Sequence, residues 1–169
     1  GSRLMHLAGA DEQQPPDAAG DALDRTIGAA QPAWPAGPAR SSRLGQWPVQ
    51  LALLPSTGDI WNGADVLLAA DCAAYAMADF HERLLDSKTL AVACPKLDDA
   101  GQHADKLATV FAENDVRSLT VVRMEVPCCG GLERIVEQAR NRAGTMIPVT
   151  VVTVGVRGNV QAVNGVHVG

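Results

Sequence analysis

The chain has 169 residues, of which 47% are hydrophobic and 20% charged, and its formal net charge is −5. This length and composition suit one globular domain, and the negative charge argues against binding to nucleic acid or anionic membranes. No apolar run approaches the ~20 residues of a membrane span, and no signal peptide is visible. We therefore expect a cytoplasmic protein, a compartment in which cysteines are more often ligands or redox centres than disulfides.

The N-terminal part of the chain differs in composition from the rest. Residues 13–16 read QQPP and residues 35–38 read PAGP, among many Ala, Gly and Asp residues. Because such a composition buries little apolar surface, we predict a mostly disordered or extended linker over residues 1–46. A short helix can form at residues 21–27, and a single α/β domain is predicted over residues 47–169.

The rest of the chain alternates between strand and helix patterns. Five apolar runs predict strands at residues 49–54, 65–70, 89–93, 118–124 and 149–154. Helical patterns follow at residues 73–85, from a cap at Asp98 or Asp99 to about residue 114, and at residues 132–142 with Gly144 as the stop. A further extended segment is predicted at residues 156–168, with a hairpin turn at residues 157–159.

Strands that alternate with helices indicate right-handed crossovers and a mostly parallel sheet. We therefore predict a three-layer, Rossmann-like α/β domain, with about five strands and helices on both faces. In such folds, ligands bind outside the carboxyl ends of the strands.

All four cysteines follow predicted strands. Cys72 and Cys94 each end an apolar run, and the adjacent Cys128 and Cys129 lie between the fourth strand and the next helix. Since parallel strands share one carboxyl edge, these thiols should form one cysteine-lined rim. Gly130 and Gly131 would let the backbone approach a bound group closely there.

Thiolates are soft ligands that select iron–sulfur clusters, zinc or copper(I). A [4Fe–4S] cluster usually takes four cysteines, so Cys72, Cys94, Cys128 and Cys129 are the candidate metal ligands. Adjacent cysteines reach one iron poorly, which leaves open whether both members of the pair are ligands. Two alternatives remain: a thiol–disulfide protein or sensor that pairs Cys94 with Cys128 or Cys129, and an interaction module with buried, inert cysteines.

Charged residues flank the cysteines at the same predicted edge. Lys96 can stabilise a thiolate or an anionic cluster, whereas Asp71 and Glu125 are predicted to be rim carboxylates. We predict that His81 and His103 are surface or cap residues. Phosphate loops, dinucleotide-binding glycine fingerprints and serine-nucleophile elbows have no match in the sequence.

Four segments together resemble the C-terminal domain of anaerobic bacterial and archaeal 4Fe–4S ferredoxin-type iron–sulfur-binding proteins. They are WPVQL at residues 47–51, AADC at 69–72, ACPKLD at 93–98 and EVPCCGGL at 125–132. In that family a ferredoxin-like segment usually precedes the domain, but this sequence has no Cys-x-x-Cys-x-x-Cys run. A weaker likeness is to the cysteine-rich CCG domain of heterodisulfide reductase, whose later Cys-x-x-Cys is also absent here.

The resemblance implies an accessory domain that binds an iron–sulfur cluster and exchanges electrons with a redox protein. That partner would be a ferredoxin-like domain of the same or another chain. Together with the cysteine positions, the resemblance makes an iron–sulfur or other metal site the leading hypothesis. Gly130, Gly131 and Lys96 are expected to surround the cofactor.

Overall fold

The structure is a computed structural model, and it describes residues 5–6 and 40–166. The helix predicted at residues 21–27 and most of the linker predicted at residues 1–46 lie outside this part of the chain. Residues 8–42 form a separate unit, of which only residues 40–42 are described, and all three are exposed. The other unit contains the elements that follow.

The described strands are β1 Met5–His6, β2 Gln46–Trp47, β3 Ala64–Ala70, β4 Thr89–Ala93, β5 Val116–Met124, β6 Val149–Val154 and β7 Val160–Val166. The α-helices are α1 Ala73–Ala76, α2 Ala100–Glu113 and α3 Gly131–Ala143. Short 3-10 helices span Leu51–Leu53 and Pro127–Gly130, and a π-helix spans His81–Leu85.

The main sheet has the strand order β4-β3-β5-β6-β7. Its first four strands are parallel, and β7 pairs antiparallel with β6. Helices α2 and α3 pack against each other over this sheet, and α1 contacts β3 and β5. The prediction of a mostly parallel, five-stranded α/β domain with helices on both faces is confirmed.

Central strand β3 is buried on both faces, as expected for a parallel sheet covered by helices. Residues Val66 to Ala70 are each at most 3% exposed. The apolar faces of the two long helices also lie in the core. They contribute Ala104, Leu107 and Phe111 from α2, and Leu132, Ile135, Val136 and Ala139 from α3.

Two predicted helix ends are confirmed by their local chemistry. The Asp99 carboxylate accepts a hydrogen bond from the Gln102 amide at 3.0 Å, so Asp99 rather than Asp98 caps α2. Gly144 ends α3 with a φ of 63°, in the left-handed region that glycine adopts readily.

The strand predicted at residues 49–54 is wrong, because this segment forms a 3-10 helix. Leu51 and Leu54 are buried while Ala52 and Leu53 are exposed. The buried leucines are three residues apart, so they lie on the same side of a 3-10 helix and face the core. The Leu53 and Leu54 amides both donate to the Gln50 carbonyl.

The continuous helix predicted at residues 73–85 is also wrong. Helix α1 ends at Ala76, and Met77 is extended, with φ −107° and ψ 110°. At this break the turn between β6 and β7 packs against α1, since a side chain at Gly158 would overlap the Ala76 carbonyl oxygen. This contact between distant parts of the chain overrides the local helix propensity.

The hairpin predicted after β6 is confirmed. Gly158 has a φ of 86° in its turn, and its amide donates to the Gly155 carbonyl. The Glu125 carboxylate accepts hydrogen bonds from the Val156 amide and the Gln161 side chain. Glu125 therefore holds the hairpin to the end of β5, a role that was not predicted.

Strand β2 is anchored to the main sheet by one side chain. The buried Gln46 amide donates to the Leu90 carbonyl and accepts from the Leu90 amide. Strand β2 in turn pairs antiparallel with β1. None of the helices in the described part of the chain has the length and apolar character needed to cross a membrane.

Asp65 makes the stability of the domain depend on pH. Hydrogen bonds from Arg117 and then Ser118 lower the pKa of Asp65 from 3.8 to about 2. The lowered pKa adds stability above pH ~3.8 that is lost as the pH falls toward ~2. Because the pair is partly exposed, we expect Asp65→Asn to cost about 1 kcal/mol at pH 7.

Urea unfolding at several pH values measures this effect. The difference between wild type and Asp65→Asn should shrink between pH ~4 and ~2. Asp59→Asn is the control, since Asp59 is an exposed loop residue on the same edge of the sheet. A difference that stays constant over this pH range would contradict the role of the Asp65 charge.

Candidate functional site

The cysteines follow three strands that are neighbours in the sheet. Strand β3 lies between β4 and β5 and pairs in parallel with both. Cys72 comes two residues after β3, and Cys94 comes directly after β4. The Asp71 amide donates to the Ala93 carbonyl at 3.3 Å, so pairing of β3 with β4 continues up to these two cysteines.

The strand order reverses between β3 and β5. From β3 the chain runs outward to β4 and then returns to β5 on the opposite side of β3. Such a reversal opens a crevice at the carboxyl ends, which is where ligands bind in doubly wound sheets. Cys72 lies on one side of the crevice, and the 3-10 turn that holds Cys128 and Cys129 lies on the other.

The four thiols differ in exposure. Cys72 and Cys128 are exposed, Cys94 is half-buried, and Cys129 is 4% exposed. Burial raises the pKa of the Cys129 thiol, and the neighbouring Cys128 and Cys72 thiols raise it further, against a backbone hydrogen bond from Met124. Cys72 therefore lies close enough to influence Cys129 across the crevice, and Cys129 ionises less readily than an ordinary cysteine.

The turn after β5 is packed against the turn after β4. An added Cβ on Gly131 would lie 2.5 Å from the Pro95 Cβ, which is too close for two carbon atoms. Gly130 has nothing within 4 Å of the same position. Gly131 therefore permits the contact that brings the Cys94 turn beside the Cys128 and Cys129 turn.

Asp98 and His103 hold the turn that contains Cys94 in place through hydrogen bonds. The Asp98 Oδ2 accepts from the Cys94 amide at 2.7 Å and lies 3.0 Å from the His103 Nε2. The Cys94 amide, followed by His103, lowers the pKa of the Asp98 carboxyl. Asp98 is therefore a carboxylate, and Nε2 is the donor.

His103 was predicted as a surface or cap residue, and this is wrong, because it is 4% exposed. One signal in the sequence could have indicated the contact. Asp98 and Asp99 are adjacent, and one carboxylate is enough to cap α2. The other is free to bind a side chain on the first turns of the helix. His81 is half-buried, and its Nδ1 accepts from the Arg43 amide.

Lys96 is exposed, two residues after Cys94. Asp71 accepts a long, 3.5 Å hydrogen bond from the Gln50 side chain. Gly130 is open to a bound group, whereas Gly131 is buried against Pro95. The predicted rim therefore has one exposed cation beside Cys94 and one open glycine beside Cys129.

The thiols share an edge without forming a closed ligand set. Among residues 5–6 and 40–166, no three His, Cys, Asp or Glu side chains are arranged to hold a metal ion. The donor chemistry nevertheless suits a soft metal or an iron–sulfur cluster. Since Cys72 and Cys128 are exposed, their side chains can turn toward the crevice without unpacking the core.

The crevice lacks the glycine-rich turn that binds dinucleotides. The residues after β3 read Asp71-Cys72-Ala73-Ala74, with no glycine to let the backbone approach a pyrophosphate. Helix α1 is also only four residues long. The edge thus offers thiols where a nucleotide-binding domain of this topology offers backbone amides.

This fold and its strand order define a class of protein. The chain belongs to the Rossmann-like domain family, whose model matches residues 59–168. It is also 34% identical over 99 residues to an uncharacterized protein of Archaeoglobus fulgidus, an alignment that covers 59% of this chain and 69% of that protein. No solved structure matches the chain. The comparisons establish the family, and the chemistry of the edge has to be argued from its residues.

The contact between Gly131 and Pro95 can be tested with two neighbouring glycines. Gly131→Ala should destabilise the domain by about 1–3 kcal/mol, because the new methyl group overlaps Pro95 in a packed site. Gly130→Ala is the matched control, since its methyl group enters open space and both residues have helical φ values near −60°. Urea unfolding measures both. Equal stability of the two variants would contradict the packing of these turns.

Proposed function

We propose that the carboxyl edge of this sheet binds an iron–sulfur cluster, and that the domain serves as an accessory domain in electron transfer. The observation that carries the proposal is topological. Three adjacent parallel strands, β4, β3 and β5, each end in a turn that bears cysteine. These turns flank the reversal of strand order, where this class of sheet binds its ligands.

The ligands we propose are Cys72, Cys94, Cys128 and Cys129. Four thiolates match the usual ligand set of a [4Fe–4S] cluster. Burial and its neighbours raise the pKa of the Cys129 thiol, so Cys129 forms the thiolate that a cluster needs less readily than an ordinary cysteine. Cys128 is the more accessible member of the pair, and Cys129 completes the set if both coordinate.

Local charge favours an anionic group at this edge. Helix α3 begins at Gly131, directly after the cysteine turn, and a helix N-terminus attracts negative charge. Lys96 adds an exposed cation beside Cys94. When bound, the cluster supplies one-electron redox chemistry. The chain's own residues hold it at the surface, within reach of a redox partner such as a ferredoxin-like domain.

A second candidate is thiol–disulfide exchange between Cys94 and Cys128 or Cys129. The contact of Gly131 with Pro95 supports it, because it holds the two cysteine turns side by side. The exposed Cys128 would be the attacking thiol, and the pair would lose two electrons and two protons to an external disulfide.

Anaerobic reconstitution with iron and sulfide tests the first proposal. Wild type should bind about four iron and four sulfide ions per chain and gain broad visible absorption. Cys72→Ser and Cys94→Ser should each lose most of the bound iron, and so should at least one of Cys128→Ser and Cys129→Ser. Val156→Ser is the matched control, since it adds an exposed serine at the same edge without removing a thiol.

Two results would contradict the cluster proposal. One is a wild-type protein that stays colourless and free of iron after reconstitution. The other is a variant with all four cysteines replaced that binds as much iron as wild type. If iron is absent and mild oxidation links Cys94 to Cys128 or Cys129, the second candidate is favoured. If all four thiols stay free as well, the edge is a non-catalytic interaction surface.

A further inference from the structure

A second cavity lies away from the cysteine edge, beside α3. It has a volume of about 320 Å³, within the range of small-molecule sites. Its floor contains Val121 of β5 and Val151 of β6, which are paired side by side in the sheet. Val136 of α3 and Met146 of the following loop also line it. The other lining residues are Val149 and the polar residues Glu133, Glu137, Arg140, Asn141 and Thr145, so the cavity has an aliphatic part and a polar part.

One charged side chain in this cavity has a buried nitrogen without a hydrogen-bond partner. Arg140 lines the cavity and is 8% exposed. Its Nε is buried and makes no hydrogen bond to any residue in the described part of the chain. The Arg123 Nε is likewise buried without a hydrogen bond, but the Arg123 side chain forms an ion pair with Glu133, and Arg142 forms one with Asp105.

A buried guanidinium nitrogen without a partner is costly, because it loses its hydration and gains no acceptor. Such groups are kept where they serve a function. A ligand carboxylate would supply both the charge and a planar pair of acceptors that match the guanidinium. The cavity therefore calls for an anionic group at Arg140.

A carboxylate on the cavity wall places a second requirement on the ligand. Glu137 lies on α3 one turn before Arg140, lines the same cavity and is exposed. Within the residues that the structure describes, it has no hydrogen bond or ion pair. A simple anion would be repelled by Glu137, whereas a ligand that also carries an ammonium group would be attracted to both residues.

We infer that this cavity binds a free α-amino acid with a branched aliphatic side chain. Arg140 binds its carboxylate, Glu137 binds its ammonium group, and the valine floor with Met146 contacts the aliphatic side chain. The inference does not depend on the cysteine edge, since the two sites share no residue.

Isothermal titration calorimetry with L-leucine, L-valine and L-isoleucine tests it on the full chain. At least one should bind saturably, and Arg140→Gln should weaken that binding about 10- to 100-fold through loss of a charged hydrogen-bonded pair. Arg142→Gln is the matched control, because Arg142 is an exposed arginine on the same helix that does not line the cavity. Its affinity should equal that of wild type.

Leucine analogues that lack one charged group test the two ends of the ligand separately. 4-Methylpentanoate lacks the ammonium group and 3-methylbutylamine lacks the carboxylate, so both should bind wild type more weakly than leucine. Glu137→Gln should remove the preference for leucine over 4-methylpentanoate. No saturable binding of any of the three amino acids, or equal affinity of Arg140→Gln and Arg142→Gln, would overturn the inference.

Arg140→Met separates a binding role from a structural one. Methionine keeps the aliphatic packing and removes the unpaired charge, so without ligand this variant should melt at the same temperature as wild type or higher. A markedly lower melting temperature would show that Arg140 is needed for the fold, and would also overturn the inference.

Discussion

The site depends on the parallel pairing of β3 with both of its neighbours. Residues Val66 to Ala69 pair with β4 and β5 at the same time, so three strands enter the carboxyl edge in one register. The strand is held by burial on both faces as well as by its hydrogen bonds. Because strands lie ~4.8 Å apart, residues that follow these three strand ends are brought together although they are far apart in sequence.

Much of this arrangement could be predicted because it rests on local signals. Apolar runs of five to seven residues marked β3 to β6, and Asp99 and Gly144 marked helix ends through chemistry confined to a few residues. Alternation of strands with helices then implied a parallel sheet with a shared edge. Each of these signals lies within one element or at its boundary.

The wrong predictions have a common physical cause, which is contact between segments distant in sequence. The apolar run at residues 49–54 was compatible with a strand, and packing beside β4 instead selects a tight turn that buries Leu51 and Leu54 on one side. The break after Ala76 depends on Gly158, some 80 residues later. The contact between Asp98 and His103 was not predicted, because each residue already had a local interpretation. Asp98 was a candidate cap of α2, and His103 was predicted to be a surface or cap residue.

The cysteine edge shows the same division between topology and side-chain detail. Alternation of elements was enough to predict that Cys72, Cys94 and the Cys128 and Cys129 pair follow neighbouring strands. The burial of Cys129 and the close approach of Gly131 to Pro95 depend on how α3 enters from the 3-10 turn. The burial of Arg140 could not be predicted, because an arginine near a helix C-terminus usually faces solvent and interacts favourably with the helix dipole.

The site requires that the turns after β3 and β5 lie on the two sides of one crevice, with Cys72 near enough to act on the Cys129 thiol. A short bifunctional thiol reagent, followed by protease digestion and mass spectrometry, tests it directly on the reduced protein. We expect a cross-linked product that joins the peptide containing Cys72 to the peptide containing Cys128 and Cys129. It would be contradicted if the reagent joined only Cys128 to Cys129 while Cys72 reacted at one end alone.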